Sequence, residues 1–109
     1  MIFLKSEFVI KGSQDQVVEG VVNEANTLGI HDGGEKGWII THIKSGFRIN
    51  TKVLNGGREF VICELDQAKA VVAKLMKCGI NWSLDEQDLN RAYPMAGIQV
   101  ASVLAEVVK

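Results

Sequence analysis

The sequence predicts a single α+β domain over residues 1–109, with an N-terminal strand and helix, a three-stranded antiparallel meander, and two to three C-terminal helices packed on the sheet. Three observations carry this prediction. Apolar and polar side chains alternate at the start, glycine-containing turns separate strand-like segments in the middle, and apolar residues recur at helical spacing towards the end. With 47% hydrophobic and 23% charged residues, the 109-residue chain has the size and composition of one folded domain.

The first two predicted elements are a strand over residues 2–11 and a helix over residues 13–28. The strand's apolar side is formed by Ile2, Leu4, Phe8 and Ile10. Ser13 is predicted to cap the helix, with Gln16 completing a capping box, and Gly29 is a natural stop. The apolar stripe at helical spacing consists of Val17, Val18, Val21, Val22, Ala25 and Leu28.

Residues 29–37 contain four glycines and are predicted to form a flexible loop. A meander should follow, because Asn-Gly between alternating segments is a strong hairpin signal. Its three strands are predicted at residues 38–43, 47–54 and 57–65, with turns at residues 44–46 and 55–56.

The first turn of the meander decides which side chains share a face. A three-residue turn needs a positive φ only at Gly46, so Ile43 is predicted to pair with Phe47. The core face then contains Ile39, Thr41, Ile43, Phe47, Ile49, Thr51, Val53, Phe60 and Ile62. The opposite face contains Trp38, Ile40, His42, Arg48, Asn50, Lys52, Glu59, Val61 and Cys63. This second face is either a binding surface or the seat of the C-terminal helices.

Three helices are predicted in the C-terminal part. Their starts are marked by Asp66, by the capping box of Ser83 and Glu86, and by Met95. Their ends are marked by Gly79, Pro94 and Val108. The last helix stays apolar through Val103, Val107 and Val108, which favours docking on the body of the protein or on a second protomer.

The sequence also indicates the cellular compartment and the kinds of chemistry that the chain is expected to lack. No signal peptide and no apolar run long enough to span a bilayer is present, so we expect a cytoplasmic protein without membrane contact. Cys63 and Cys78 lack a Cys-x-x-Cys spacing and are expected to be reduced, with burial as their role. His31-Asp32 is interpreted as a solvated loop pair, since a metal site needs further ligands. No catalytic set, metal site or cofactor motif is recognised, so the chain is predicted not to be an enzyme.

Basic charge is concentrated in residues 36–80, which carry eight Lys or Arg against three acidic residues. Such asymmetry indicates an anionic partner, or a basic centre neutralised by acidic flanks within the fold. Trp38 is suited to stacking on a nucleic-acid base or to anchoring a protein contact. The basic side chains are suited to binding phosphates or carboxylates. The candidate binding residues are Trp38, His42, Lys44, Arg48, Lys52 and Arg58.

Three resemblances add expectations. The run Trp38-Ile39-Ile40-Thr41-His42-Ile43-Lys44-Ser45-Gly46 resembles the Trp-x-x-Thr-His-x-x-Ser/Thr-Gly hairpin of small uncharacterised phage and prophage proteins, which implies a mobile-element accessory protein that binds a host factor. The predicted element order of residues 14–79 resembles double-stranded-RNA-binding domains. The meander and its following helix resemble the sheet-reading DNA-binding domains of plant ethylene-response factors and phage integrase arms.

The sequence therefore supports one leading hypothesis and two others. The leading one is a non-enzymatic accessory protein that binds a protein partner. The alternative is nucleic-acid binding through the basic sheet face. A third is a homodimer formed through Val103, Val107 and Val108.

Overall fold

A computed structural model of the chain describes residues 1–49 and 61–107. Within these residues, four antiparallel strands form one sheet in the order β1-β2-β3-β4, and three α-helices follow. The elements are β1 (Phe3–Ile10), β2 (Gln16–Asn23), β3 (Leu28–Asp32), a 3-10 turn (Gly34–Lys36), β4 (Trp38–His42), α1 (Leu65–Leu75), α2 (Glu86–Ala92) and α3 (Ala96–Val107). The predicted α+β class and the N-terminal strand are confirmed.

The helix predicted over residues 13–28 is wrong. Residues 16–23 form β2, which pairs antiparallel with β1 along its whole length, from Phe3 opposite Asn23 to Ile10 opposite Gln16. Valine is β-branched and favours strands, and β1 supplies a long partner to pair with. A Cβ at Gly20 would collide with the backbone of Ile30 on the neighbouring strand, so a glycine fits this close approach.

Part of the predicted loop over residues 29–37 is also a strand. β3 lies between β2 and β4 in the sheet. The β2–β3 turn is held by the buried side chain of Asn23, whose Oδ1 accepts hydrogen bonds from the backbone N–H groups of Thr27 at 2.8 Å and Leu28 at 3.2 Å. Asn26 in this turn has a φ of 55°, a conformation that asparagine tolerates better than most residues.

The pairing across the turn after β4 is shifted by one residue from the predicted register. Gly46 has the predicted positive φ, 77°. However, Arg48 pairs with Thr41, and the N–H of Ile49 donates to the carbonyl of Ile40 at 2.7 Å, so the predicted pairing through Ile43 is wrong. The shift exchanges the two faces of β4 relative to the prediction, while Ile49 and Arg48 keep their predicted faces. Ile40 and Ile49 are buried on the side of the helices, whereas Thr41 and Arg48 belong to the opposite face.

The rest of the predicted meander lies largely outside the described residues. The Asn55-Gly56 turn and Thr51, Lys52, Val53, Arg58 and Phe60 fall there. Residues 61–64 carry no strand, although the N–H of Trp38 donates to the carbonyl of Ile62 at 2.8 Å. Leu65, predicted to end the third strand, begins α1 instead, with Glu64 as its N-cap.

The helices pack on one face of the sheet, as predicted. Their core cluster with the sheet contains Leu28, Ile30, Ile40, Ile49, Ile62, Ala68, Val71, Val72, Leu75, Ile80, Trp82, Val100, Val103 and Leu104. Val103 is buried in this cluster and Val107 packs against it, so the apolar end of α3 docks on the body of the chain, while Val108 lies outside the described residues. No helix in the described ranges is both long and apolar enough to cross a bilayer.

The helix boundaries follow local chemistry. Asp85, and not Ser83, caps α2, since its carboxylate accepts the N–H of Asp88 at 2.9 Å. The Ser83 hydroxyl donates instead to the side chain of Asn81. Pro94 comes two residues after the end of α2, in agreement with its predicted role as a helix breaker.

Candidate binding sites

The predicted binding residues that the structure describes do not share one open surface. His42 is buried on the helix side of β4, where its Nδ1 lies 2.8 Å from Ser45 Oγ and its Nε2 lies 2.8 Å from the carbonyl oxygen of Trp82. Both ring nitrogens are thus used to join the turn after β4 to the segment between α1 and α2. His42 is a structural residue here, with no ring nitrogen left for a ligand.

Of the other predicted residues, the structure describes Trp38, Lys44 and Arg48. Trp38 is half-buried, packs against the core and lines a groove of about 490 Å³ with Lys5, Glu7 and Glu19. Lys44 and Arg48 are exposed. Lys52 and Arg58 lie outside the described residues.

One cleft lies between the turn after β4 and the two last helices, and is called here the Phe47 cleft. It has a volume of about 220 Å³. It is lined by His42, Ser45, Phe47, Arg48, Ile49, Trp82, Glu86, Leu89, Asn90, Ala96, Gly97 and Val100. Phe47 is 48% exposed, although the sequence predicted it in the core, and its side chain lines this cleft.

The surroundings of the Phe47 cleft are apolar as well. Met95 and Ile98 are both exposed. In the sequence they flank Ala96 and Gly97, two residues of α3 that line the cleft. A large exposed aromatic beside a preformed apolar cleft is typical of a binding surface.

A second cavity lies on the other side of β4 and is called here the His31 cavity. Its volume is about 180 Å³, and it is lined by Ile10, Lys11, His31, Lys36, Ile39, Thr41, Gly46 and Arg48. The end of β1 reaches the turn after β4, where the N–H of Lys11 donates to the carbonyl of Gly46 at 2.8 Å. A Cβ at Gly46 would lie 2.5 Å from Lys11 Cγ, so glycine permits this approach.

Two buried polar side chains line the His31 cavity without using their full hydrogen-bonding capacity. His31 is 6% exposed and Thr41 is fully buried. Neither His31 Nδ1 nor Thr41 Oγ1 has a hydrogen-bond partner in the part of the chain that the structure describes. Burial lowers the pKa of His31 below 6.5, and the negative charge of Asp32 opposes this effect only in part. The imidazole is therefore neutral at pH 7.

Three cationic residues border the same cavity. Lys11, Lys36 and Arg48 come from the end of β1, from the 3-10 turn and from the segment after β4. Lys11 also forms an exposed ion pair with Asp15 at 3.2 Å. The carboxylate of Asp32 is engaged by the N–H of Gly34, at 2.9 Å. The cavity is thus lined by three basic residues and by two residues with buried polar atoms.

Sequence reasoning missed this cavity. The interpretation of His31 as a solvated loop residue is wrong, because His31 lies in β3. The alternation of Leu28 and Ile30 with Gly29 and His31 was the available signal, since it is the period of a strand. Lys11 and Lys36 become neighbours of Thr41 only through the folded sheet, so nothing in their spacing could have indicated the site.

Other candidate chemistry is limited. In residues 1–49 and 61–107, no three His, Cys, Asp or Glu side chains are grouped so that they could hold a metal ion. Cys63 and Cys78 are both free, but Cys63 is exposed, contrary to its expected burial.

Comparison of the chain with protein-family models, with curated proteins and with solved structures gives no match.

Proposed function

We propose that this chain is a non-enzymatic accessory protein, of a phage or mobile-element type, that acts by binding a protein partner through the Phe47 cleft. The observation that carries this proposal is the exposure of Phe47 beside a cleft with apolar walls. Large aromatic side chains at well-packed pockets contribute most of the energy in many protein interfaces. The resemblance of residues 38–46 to small phage and prophage proteins supports the accessory role.

The walls of the Phe47 cleft are held by buried hydrogen bonds. His42 connects the turn after β4 to Trp82, and Trp82 Nε1–H donates to the carbonyl of Leu75 at 2.9 Å. Trp82 is thereby fixed to the end of α1 while lining the cleft. A preformed cleft loses less conformational entropy on binding, which favours affinity.

The chemistry of the lining indicates what the partner presents. Trp82, Leu89 and Val100 supply apolar surface, while Glu86 and Arg48 place one negative and one positive group in the lining. A partner segment with an aliphatic or aromatic side chain flanked by polar residues matches this arrangement.

The experiment compares two tagged variants in pull-downs from bacterial lysate, followed by light-activated crosslinking from residue 47. Phe47→Ala should lose a stoichiometric partner that the unmodified chain retains. Val17→Ala is the matched control, because Val17 is 65% exposed and lies on β2, outside the cleft lining. Equal recovery by both variants, or no stoichiometric partner at all, would contradict the proposal.

Nucleic-acid binding through Trp38, Lys44, Arg48 and Lys52 is the alternative. The observation in its favour is that Lys44 and Arg48 are both exposed in or next to the same turn. It predicts an affinity for DNA or RNA that falls steeply with salt and is lost on Arg48→Ala. An electrophoretic shift assay at low salt that detects no complex would eliminate it.

A further inference from the structure

β1 is an edge strand, because β2 is the only strand that pairs with it among the described residues. At its end, the N–H of Lys11 donates to the carbonyl of Gly46, which occupies the outer edge there. In the described part of the chain, residues 3–8 make no backbone hydrogen bond to any segment other than β2. Unpaired N–H and C=O groups on an edge strand are a template for pairing with another strand. Residues 4–8 therefore offer an open edge to a second chain.

Exposed apolar side chains lie beside this edge. Leu4 is 54% exposed, and Ile2, directly before the strand, is 59% exposed. α1 packs mainly on β3 and β4, so the helices leave the outer part of the sheet uncovered. Apolar side chains at an open strand edge favour association with another strand, since water would otherwise surround them.

The charges of β1 and β2 are unevenly paired. Glu7 lies directly opposite Glu19 on β2, and these two carboxylates share a face of the sheet with Lys5. None of the three side chains forms an ion pair within the described residues. Lys69 also approaches β1, but its ammonium lies over the Phe3 ring, 5.6 Å from the centroid. Like charges directly opposite each other destabilise a sheet, so a cation beside Glu7 would stabilise this one.

We propose that β1 pairs antiparallel with β1 of a second copy of this chain, about a two-fold axis that passes beside Ser6. In this register, Lys5 of each copy lies directly opposite Glu7 of the other copy. Leu4 lies opposite Phe8 of the other copy, so the second strand covers the exposed Leu4 side chain. Directly opposite residues share a face, so the two sheets join into one, with the helices of both copies on the same side.

The charges select this register over its neighbours. A shift by one residue places Lys5 opposite Ser6 or Phe8, where no opposite charge meets it. A shift by two residues places either Lys5 or Glu7 opposite itself. Of these registers, only the one centred on Ser6 sets opposite charges against each other, and it does so twice because the interface is symmetric. Each pair of Glu7 and Glu19 thereby gains a lysine from the other copy.

The overlap is short, since Gly46 occupies the edge at Lys11 and only residues 4–8 pair between the copies. The dimer is therefore weak, and its population should rise with protein concentration. Sedimentation velocity over a concentration series is the suitable measurement. The expected result is a mass that rises from one chain towards two and does not exceed two, because a two-fold interface is closed.

Charge reversal tests the register. Lys5→Glu should weaken dimerisation by about tenfold or more, because it turns both ion pairs of the dimer into repulsions. Glu7→Lys should have the same effect for the same reason. Arg91→Glu is the matched control, since it makes the same change of charge in the last turn of α2 and should leave the dimer unchanged. Circular dichroism checks that each variant is folded.

Mixing the two variants separates this pairing from a general effect of charge. Equal amounts of Lys5→Glu and Glu7→Lys should form a mixed dimer, in which every facing pair again carries opposite charges. The double variant Lys5→Glu/Glu7→Lys should dimerise like the original chain, and it keeps the test valid if one single variant folds poorly. The proposal is overturned by an original chain that stays monomeric at every concentration, by a mass beyond a dimer, or by a mixture of folded variants that stays monomeric. It is equally overturned if Arg91→Glu weakens dimerisation as much as Lys5→Glu.

Discussion

Thr41 pairs with Arg48 across the turn that follows β4. This pairing places Phe47 and Ile49 with the helix-facing residues of β4, and Arg48 with the opposite face. The Phe47 cleft and the His31 cavity consequently lie on different sides of the same short segment. The segment from residue 46 to residue 49 contributes side chains to both.

Asn23→Ala should destabilise the fold strongly. The Asn23 side chain accepts two backbone N–H groups in the β2–β3 turn, and its Nδ2 donates to Thr27 Oγ1 at 2.8 Å. Removing it leaves buried donors unpaired, with an expected loss of about 2–4 kcal/mol in the free energy of unfolding. Urea denaturation measures this loss. Glu24→Ala, an exposed change in the same turn, should alter stability by no more than about 0.5 kcal/mol.

His42→Leu should cost about 2–3 kcal/mol in the free energy of unfolding, because it leaves the Trp82 carbonyl and the Ser45 hydroxyl without their imidazole partner. The new side chain has a similar volume, so the effect reports hydrogen bonding rather than a cavity. Thermal or urea unfolding monitored by tryptophan fluorescence is a suitable measurement. A loss no greater than that of Lys44→Ala would show that His42 is not the structural connection described above.

Two glycine substitutions should act in opposite directions. Gly97→Ala lies in α3, where an added Cβ would meet no atom within 4 Å beyond its own helix backbone and chain neighbours, so the helix should gain about 0.5–1 kcal/mol. Gly29→Ala places a Cβ 2.8 Å from the Phe8 ring and 2.9 Å from Ile43 Cδ1, and should destabilise the fold. Melting temperatures of both variants check the pair. A destabilising Gly97→Ala would instead indicate that the edge of the Phe47 cleft requires a glycine.

The stability of the unliganded chain should fall as the pH is lowered from 7. The pKa of His31 in the folded chain lies below 6.5, so between these two values the unfolded chain takes up a proton that the folded chain does not. Stability is therefore lost as the pH falls through 6.5, and this contribution levels off below the folded pKa. His31→Gln should remove it. Urea unfolding at a series of pH values compares the two chains, and identical pH profiles would contradict the burial of a neutral His31.

Local patterns in the sequence predicted the C-terminal helices and the first strand well. The stripe of Ala68, Val71 and Leu75 has only one periodic interpretation, and all three residues are buried in α1. Val17, Val18, Val21 and Val22 fit both a helical stripe and a strand, and only the long pairing with β1 selects the strand. That pairing is a non-local interaction, so local spacing did not indicate it.

The candidate sites were less predictable for a related reason. Gly46 was correctly predicted to have a positive φ, yet the Ser45 hydroxyl accepts the N–H of Phe47 at 3.2 Å and takes part in a turn one residue longer than expected. That single residue of register places His42 on the helix-facing side and Arg48 on the opposite face, whereas the prediction put both on one face. The His31 cavity depends on contacts between β1, the 3-10 turn and β4, which no motif within the chain encodes.

The most direct test of the fold around His31 is the pH titration of the His31 imidazole by NMR. The predicted result is a pKa below 6.5, because the ring is buried in the sheet. A pKa at or above 6.5 would contradict the burial of His31 in β3.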